Sequence, residues 1–300
     1  MASADQRPTP EDDERHVPGP RSLPLWSESF WFPFYDSRAE VGAVFRLGIL
    51  PNQNSANVFV FLIERESVIY SFVDLRAPVP PAEKRRVTIQ GLTLDWERPL
   101  DRFRIRYAQG SHGLDVTWTG HSPVHMYPRP PGATSDEYPG HLEQGGIVTG
   151  TLTIGGRTHT IDCLGHRDHS WGGERDWSKL RRWNYVGGLI DRNFWFNAVR
   201  LSLDPESEIF LGSIWNGGEI LELKEIRMNV ATVDGGARPI GVEVHMIDEQ
   251  DREHRIVGEK VLALVPVQFG KTWVKDGITR YRHGNHVGYG ILEHGYVEES

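Results

Sequence analysis

The sequence predicts an all-β protein of two antiparallel, barrel-like halves packed side by side, with few short helices. Apolar and polar residues alternate with a period of two over many short segments, as expected of strands that bury one face. Glycine-containing turn sequences separate these segments, and no long stretch keeps the period of about 3.6 residues that marks an amphipathic helix. Short strands joined by tight turns are typical of sandwiches and barrels.

Two segments show the alternation most clearly. Phe103, Ile105 and Tyr107 alternate with arginines, and the apolar residues from Ile240 to Met246 alternate with glycine and polar residues. Other strands are expected near 41–49, 56–64, 67–74, 92–97, 113–119, 146–154, 157–163, 183–190, 193–201, 208–214, 219–229, 254–265, 267–274 and 286–293. Glycine and asparagine accept the positive φ of tight hairpins, which predicts turns. These turns are Gly155-Gly156, Asn216-Gly217-Gly218, Asp234-Gly235-Gly236 and Asp276-Gly277.

The chain divides into four predicted parts. Residues 1–21 carry charges and four prolines before any hydrophobic run, which predicts a disordered tail without the apolar centre of a secretory signal. Residues 22–164 are expected to form the first barrel-like domain, and residues 181–300 the second. Between them, residues 165–180 form a motif segment at the domain junction.

Composition restricts the function. A net charge of −8 argues against a general nucleic-acid binder, because binding phosphates requires clustered basic residues. The longest apolar runs fall far short of the roughly 20 residues that span a bilayer, so no transmembrane segment is expected. The only cysteine, Cys163, excludes a disulfide within one chain and fits a reducing compartment, which favours a cytoplasmic protein.

The segment from Gly165 to Gly172 reads Gly-His-Arg-Asp-His-Ser-Trp-Gly and is denser in polar and aromatic groups than a core strand requires. If it is extended, His166 and Asp168 share one face. They are two residues apart and can interact there, whereas a carboxyl such as Asp168 and its neighbour His169 point to opposite faces. The same alternation places Arg167, His169 and Trp171 together on the second face.

These residues carry a resemblance to a known family. The run Asp168-His-Ser-Trp-Gly172, with Gly288-Tyr-Gly-Ile-Leu-Glu293 and Trp26-Ser-Glu28, resembles the lipocalin-like carotenoid 1,2-hydratases (hydroxyneurosporene synthases) and the related AttH-type proteins, in an uncharacterised bacterial branch. The resemblance implies two calycin-like barrels and acid-catalysed chemistry on a hydrophobic alkene or alcohol. It also implies that Asp168 is the acid, while His166 stands where those hydratases usually carry an aromatic hydroxyl.

On this basis the expected activity is that of a cofactor-independent lyase (hydro-lyase) or isomerase: a hydratase, dehydratase or isomerase acting on an isoprenoid-, steroid- or polyketide-like molecule. The expected catalytic residues are Asp168, His166 and His169. The expected substrate-binding residues are Trp171, Arg167, Trp183, Tyr185, His141, Glu143, Trp215 and Glu293. The expected partner is a hydrophobic small molecule. Whether the chain also forms a homodimer stays open at the level of the sequence.

Three alternatives remain open at this stage. The polar motif can be a structural network that fixes the angle between the barrels. The barrels can bind a hydrophobic ligand without chemistry, since fold does not decide function. His141, His166 and His169 with Glu143 have the ligand types of a zinc or ferrous site, but His166 and His169 face opposite sides of a strand. That geometry disfavours metal binding by this set, so no cofactor and no metal are expected.

Overall fold

The computed structural model describes residues 8–128, 134, 136, 139–174, 176, 179–204 and 206–298. Strand makes up 69% of the structure and helix 4%, which confirms the predicted all-β class. Among the residues that the structure describes, helical structure is limited to single turns such as α1 (Pro10–Asp13) and the 3-10 turns Pro51–Gln53 and Asp234–Gly236. Among the described residues, no helix has the length and apolar composition of a membrane-spanning segment.

The first half of the chain forms an eleven-stranded antiparallel sheet that curls into a nearly closed barrel. Its strands are β1 (Glu28–Asp36), β2 (Val41–Leu50), β3 (Ser55–Glu64), β4 (Ser67–Ala77), β5 (Arg86–Ile89), β6 (Leu92–Arg98), β7 (Arg102–Gln109), β8 (His112–Gly120), β9 (His125–Met126), β10 (Gly140–Ile154) and β11 (Arg157–Trp171). The order is β4-β3-β2-β1-β11-β10-β8-β7-β6-β5, and the short β9 pairs with β10. The first strand therefore lies beside the last, which places β1 next to the motif.

The second half forms a closed eight-stranded barrel with simple up-and-down connections. Its strands are β12 (Arg182–Asp191), β13 (Phe194–Ser202), β14 (Glu208–Trp215), β15 (Ile220–Val233), β16 (Arg238–Asp248), β17 (Glu253–Phe269), β18 (Thr272–His283) and β19 (His286–Val297). Closure between β12 and β19 leaves no free edge in this barrel. The structure therefore has the predicted architecture of two barrels packed side by side.

Separate apolar clusters fill each barrel and the space between them. Buried aromatic residues such as Phe32, Phe103 and Trp118 fill the first barrel. Smaller side chains fill the second, and a third cluster that includes Trp31 and Tyr185 joins the outer faces of the two barrels. The interface between the barrels is therefore built like a core, although polar groups enter it.

Three local predictions are wrong. The strand expected at 267–274 is interrupted by a turn, because β17 ends at Phe269 and β18 begins at Thr272. Ile240 is exposed, although the apolar residues after it are buried, because a bulge opposite Ala231 and Thr232 interrupts the alternation there. Asp276-Gly277 is not a hairpin but lies inside β18, paired with β19. Of the other predicted turns, the one at Gly155-Gly156 joins β10 to β11 with positive φ at both residues.

The described part of the N-terminal segment, residues 8–21, is not a disordered tail. Asp13 is fully buried, and its carboxylate pairs with Arg167 of β11 at 2.7 Å. The backbone oxygen of Asp13 accepts a hydrogen bond from Trp96 Nε1. A segment anchored by a buried ion pair does not behave as a solvated chain, and composition alone cannot reveal such a tertiary contact. Residues 1–7 lie outside the described residues.

The motif does not form a separate unit between the barrels. Residues 165–171 are the final part of β11 and therefore belong to the first sheet, beyond the expected boundary at residue 164. Within the expected segment 165–180, residues 175, 177 and 178 lie outside the described residues.

Candidate active site between the barrels

The two faces of β11 have different surroundings, as the alternation predicts. His166 is in hydrogen-bond contact with Tyr185 and Trp195 of the second barrel, so its face lies at the interface. Arg167 and His169 instead point into the mouth of the first barrel, where they meet Asp13. The polar cluster around Glu143 and Asp168 lies on the face of β11 that carries His166.

The carboxylate of Glu143, on β10, accepts four hydrogen bonds at the interface. Its Oε1 atom accepts hydrogen bonds from the hydroxyl of Tyr127 at 3.2 Å and from Nε2 of His141 at 2.9 Å. Its Oε2 atom accepts from the hydroxyl of Tyr185 at 2.8 Å and from Nδ2 of Asn197 at 2.7 Å. The side chain is fully buried, so these four donors replace the water that an exposed carboxylate would bind.

The surroundings of Glu143 determine its charge. Burial raises the pKa of this carboxyl, but the hydrogen bond from His141 and the nearby His166, whose Nε2 lies 3.4 Å from Oε2, outweigh burial and hold the pKa well below its usual value. Burial and the charge of Glu143 raise the pKa values of Tyr127 and Tyr185 well above that of a free tyrosine. Glu143 is therefore a carboxylate, and both tyrosines remain proton donors toward it.

His166 is held in one tautomer. Its Nδ1 atom accepts a hydrogen bond from Nε1 of Trp195 at 3.0 Å, and because an indole N–H can only donate, Nδ1 carries no proton. The proton of the neutral ring is therefore on Nε2, which lies 2.7 Å from the hydroxyl oxygen of Tyr185. Because that hydroxyl donates to Glu143, the three side chains form a directed chain of hydrogen bonds from His166 to Glu143.

Two carboxyl groups of the second barrel face the same interface. Asp276 and Glu293 are direct partners across β18 and β19. Trp31 Nε1 donates to Oδ2 of Asp276 at 3.1 Å, and Trp183 Nε1 donates to Oε1 of Glu293. Burial raises the pKa of both groups, and the neighbouring Glu293 carboxyl raises that of Asp276 further. This pair, called the carboxyl pair below, therefore retains a proton where ordinary carboxyls have lost theirs.

Asp168 lies between Glu143 and the carboxyl pair. In the sheet register it stands opposite Glu143 of β10 on one side and Trp31 of β1 on the other. It is partly exposed, and its charge acts on Asp276 and Glu293. The first barrel contributes two carboxyl groups to the interface. Glu143 is buried and enclosed by hydrogen-bond donors, whereas Asp168 is partly accessible.

A groove of about 450 Å³ opens between the barrels at one end of this interface. Residues from both barrels line it, among them Leu25, Arg46, Leu50, Phe269, Lys271 and Val297. Arg46 is the register partner of Trp31 and lies close enough for its charge to act on Glu293. The inner end of the groove therefore reaches the neighbourhood of the carboxyl pair.

The interface brings together most of the residues singled out in the sequence analysis. These are Asp168, His166, His141, Glu143, Trp183, Tyr185 and Glu293. The others lie elsewhere, because alternation directs Arg167, His169 and Trp171 toward the first barrel's mouth. Trp215 packs beside Trp195 and donates to the backbone oxygen of Gly218.

Sequence reasoning missed several residues of the interface. The sequence predicts a turn at Asp276 because this residue precedes glycine. An ionisable residue within the alternating pattern of a strand can also indicate a functional site. Tyr127 and Asn197 carry no local signal that distinguishes them from other polar or aromatic residues of β strands. They reach the site only because the two barrels pack together.

A family model described as Domain of unknown function (DUF7064) matches residues 9–297. The chain belongs to this family. The match of this DUF7064 protein covers both barrels and the buried N-terminal residue Asp13. No curated protein sequence matches it significantly.

Solved structures with the same two-barrel fold are similar to this DUF7064 protein over most of their length. A putative AttH from Nitrosomonas europaea has a TM-score of 0.67 and 11% identity, covering 93% of this chain and 97% of the other. Kievitone hydratase from Nectria haematococca has a TM-score of 0.63 and 14% identity, covering 90% and 88%. CghA with Sch210972 has a TM-score of 0.62 and 11% identity, covering 92% and 89%. At these identities the likeness confirms the fold implied by the sequence resemblance.

Proposed function

We propose that this protein is an acid/base enzyme, a hydratase, dehydratase or isomerase, whose active site is the polar cluster between the barrels. The observation that carries the proposal is the opposite behaviour of neighbouring carboxyl groups. Glu143 has a lowered pKa, while Asp276 and Glu293 have raised pKa values. Environments that separate the pKa values of nearby groups provide an acid and a base at one pH.

The carboxyl pair is assigned as the proton donor. Asp168, rather than the enclosed carboxylate Glu143, is assigned as the acceptor because it is partly accessible, so its role differs from the acid that the resemblance implies. In dehydration, a protonated Asp276 or Glu293 donates a proton to the hydroxyl, which leaves as water, and Asp168 accepts a proton from the neighbouring carbon as the double bond forms. In hydration the same transfers run in reverse: Asp168 returns the proton to the alkene carbon, and the carboxyl pair accepts a proton from the water that adds. In isomerisation a proton is donated at one carbon and removed from another. These transfers use only side chains of the chain itself. The chain from His166 through Tyr185 to Glu143 positions the first-barrel side of the site.

A hydrophobic small molecule is the proposed substrate. The groove between the barrels has apolar walls at Leu25, Leu50, Phe269 and Val297, and the cationic Arg46 also lines it. A volume of about 450 Å³ lies within the usual range of small-molecule sites, about 300–1,000 Å³. One similar structure is described as kievitone hydratase, which supports a hydratase-type reaction, and another as CghA with Sch210972.

Asp168→Asn is expected to reduce turnover by about 100-fold or more, the usual contribution of a general acid or base. The change preserves size and leaves the groove intact, so ligand affinity is expected to change little. Substrates are first found by mass spectrometry of ligands retained by the native protein, and turnover is then measured on them. The control is Asp162→Asn, an exposed carboxylate on the same strand. Full activity of Asp168→Asn would show that Asp168 does not transfer the proton. Retention of a ligand that the unmodified chain does not convert would favour a non-catalytic binding protein.

Asp276→Asn is expected to stabilise the fold increasingly as the pH rises, even though it lowers activity. Because the folded-state pKa of Asp276 is raised, its contribution to stability is full below the ordinary value of 3.8 and is lost as the pH rises toward the folded pKa. Asparagine keeps an acceptor for Trp31 and has no charge to bury. Urea unfolding at pH 4 and pH 8 tests this. Equal destabilisation of the variant at both pH values would identify Asp276 as a structural group only.

A further inference from the structure

Three potential metal ligands converge at the mouth of the first barrel, on the opposite face of β11 from the proposed active site. They are His16 Nδ1, Glu28 and His169 Nε2, whose ligand atoms all lie within 4.8 Å of one another. His16 Nδ1 is 2.9 Å and His169 Nε2 is 3.0 Å from Oε1 of Glu28. Glu28 and His169 are fully buried, and His16 is held against them by stacking on Trp171 at 4.4 Å.

We propose that His16, Glu28 and His169 bind one divalent transition-metal ion, with Zn²⁺ the preferred ion. Two imidazoles and one carboxylate are the protein ligands of several catalytic zinc sites. Zinc–nitrogen distances of about 2.0–2.1 Å place tetrahedral ligand atoms roughly 3.3 Å apart. The present spacing needs only small side-chain shifts to admit the ion.

An unsatisfied atom supports this assignment independently of the convergence. Oε2 of Glu28 is buried and makes no hydrogen bond in the described structure, although Glu28 is only 1% exposed. A carboxylate oxygen buried without a partner is costly, and native structures rarely leave one. Coordination to a cation would satisfy this oxygen.

The surroundings of His169 have the arrangement that metal ligands usually show. The second ring nitrogen, Nδ1, lies 3.5 Å from Oδ1 of Asp13, and Arg167 holds that carboxylate at 2.7 Å. A ligating histidine commonly directs its other nitrogen at a carboxylate, which fixes the ring orientation and the tautomer. Asp13 is therefore assigned as a positioning residue for His169. This explains why the N-terminal segment carries a buried acid at this place.

The proposed metal ligands border the groove at one residue, Glu28. Glu28 and its neighbour Ser27 are among the residues that line the groove between the barrels. Three protein ligands with one open position leave room for water or for an oxygen atom of a small molecule. This ligand set differs from the one weighed in the sequence analysis, which β11 splits because His166 faces the second barrel. The inference does not depend on the proposed acid/base function.

The test is zinc binding by the full chain after removal of metal with a chelator. Isothermal titration with Zn²⁺ is expected to show one ion per chain, and Co²⁺ is expected to give the visible absorption of a tetrahedral site. His16→Gln is expected to weaken Zn²⁺ binding by roughly 100-fold or more. This residue is partly exposed, so the variant is expected to fold even where His169→Gln does not.

The matched control is His245→Gln, because His245 also contacts a glutamate on a strand but is exposed. This variant is expected to bind Zn²⁺ as the unmodified chain does. Zinc is also expected to raise the unfolding temperature of the unmodified chain and of the control, but not that of His16→Gln. Failure of the unmodified chain to bind Zn²⁺, or equal binding by His16→Gln, would overturn the proposal and leave a hydrogen-bonded cluster.

Discussion

Replacing Glu143 by Leu is expected to lower the free energy of unfolding by about 3–5 kcal/mol, the range found when one partner of a buried charged network is removed. The substitution leaves four donors, from Tyr127, His141, Tyr185 and Asn197, without their acceptor, and the last two are buried. Urea unfolding near neutral pH measures the change. Glu243→Leu is the comparison, because Glu243 is a strand glutamate whose histidine and arginine partners are exposed to solvent.

The contribution of Glu143 to the free energy of unfolding is expected to decrease in acid. Because the folded-state pKa of Glu143 is lowered, its stabilisation is present above the ordinary value of 4.5 and is lost as the pH falls through the folded-state value. The difference between the unmodified chain and Glu143→Leu is therefore expected to narrow in acid. If the difference in unfolding free energy between the two chains stays constant down to low pH, packing and not charge accounts for the loss of stability in Glu143→Leu.

Separating Asp13 from Arg167 is the second change with a large expected effect. Asp13→Leu or Arg167→Met alone leaves one buried charge without its partner, which costs about 3–5 kcal/mol. Arg167 also contacts Gln144 and lies over the rings of Phe103 and Trp118 in the first barrel, so its charge cannot reach water without opening the core.

The double variant Asp13→Leu/Arg167→Met is expected to cost much less than the sum of the two single changes, because neither charge then remains unpaired. The comparison uses urea unfolding in buffer that contains a chelator, so that metal binding does not contribute. Additivity within about 0.5 kcal/mol would show that the two side chains do not stabilise one another.

The fold could be predicted from the sequence because alternation and turn chemistry are local signals. Phe103, Ile105 and Tyr107 are buried as their spacing predicts. The errors lie where tertiary structure decides, as at Ile240, where a bulge reverses the alternation. The N-terminal segment shows the same limit, because the partner of Asp13 is 154 residues away and no composition rule detects it.

The candidate site could be predicted only on the first barrel. Alternation placed His166 and Asp168 on one face, and the structure places that face at the interface. The opposing residues come from strands far along the chain, and the contact between Trp31 and Asp276 spans 245 residues. Which outer face of the second barrel meets β11 depends on how the barrels dock, and this depends on side-chain packing across the whole interface.

The position of the groove has a consequence for how proteins of this fold can acquire new ligands. Both barrel interiors are filled, and the groove is formed by outer surfaces, including the turn that joins β17 to β18 at Gly270 and Lys271. Substitutions there reshape the groove without leaving a void in either core, so they avoid the stability cost of large-to-small core changes. Such an arrangement permits evolutionary divergence of ligand specificity while both barrels are conserved.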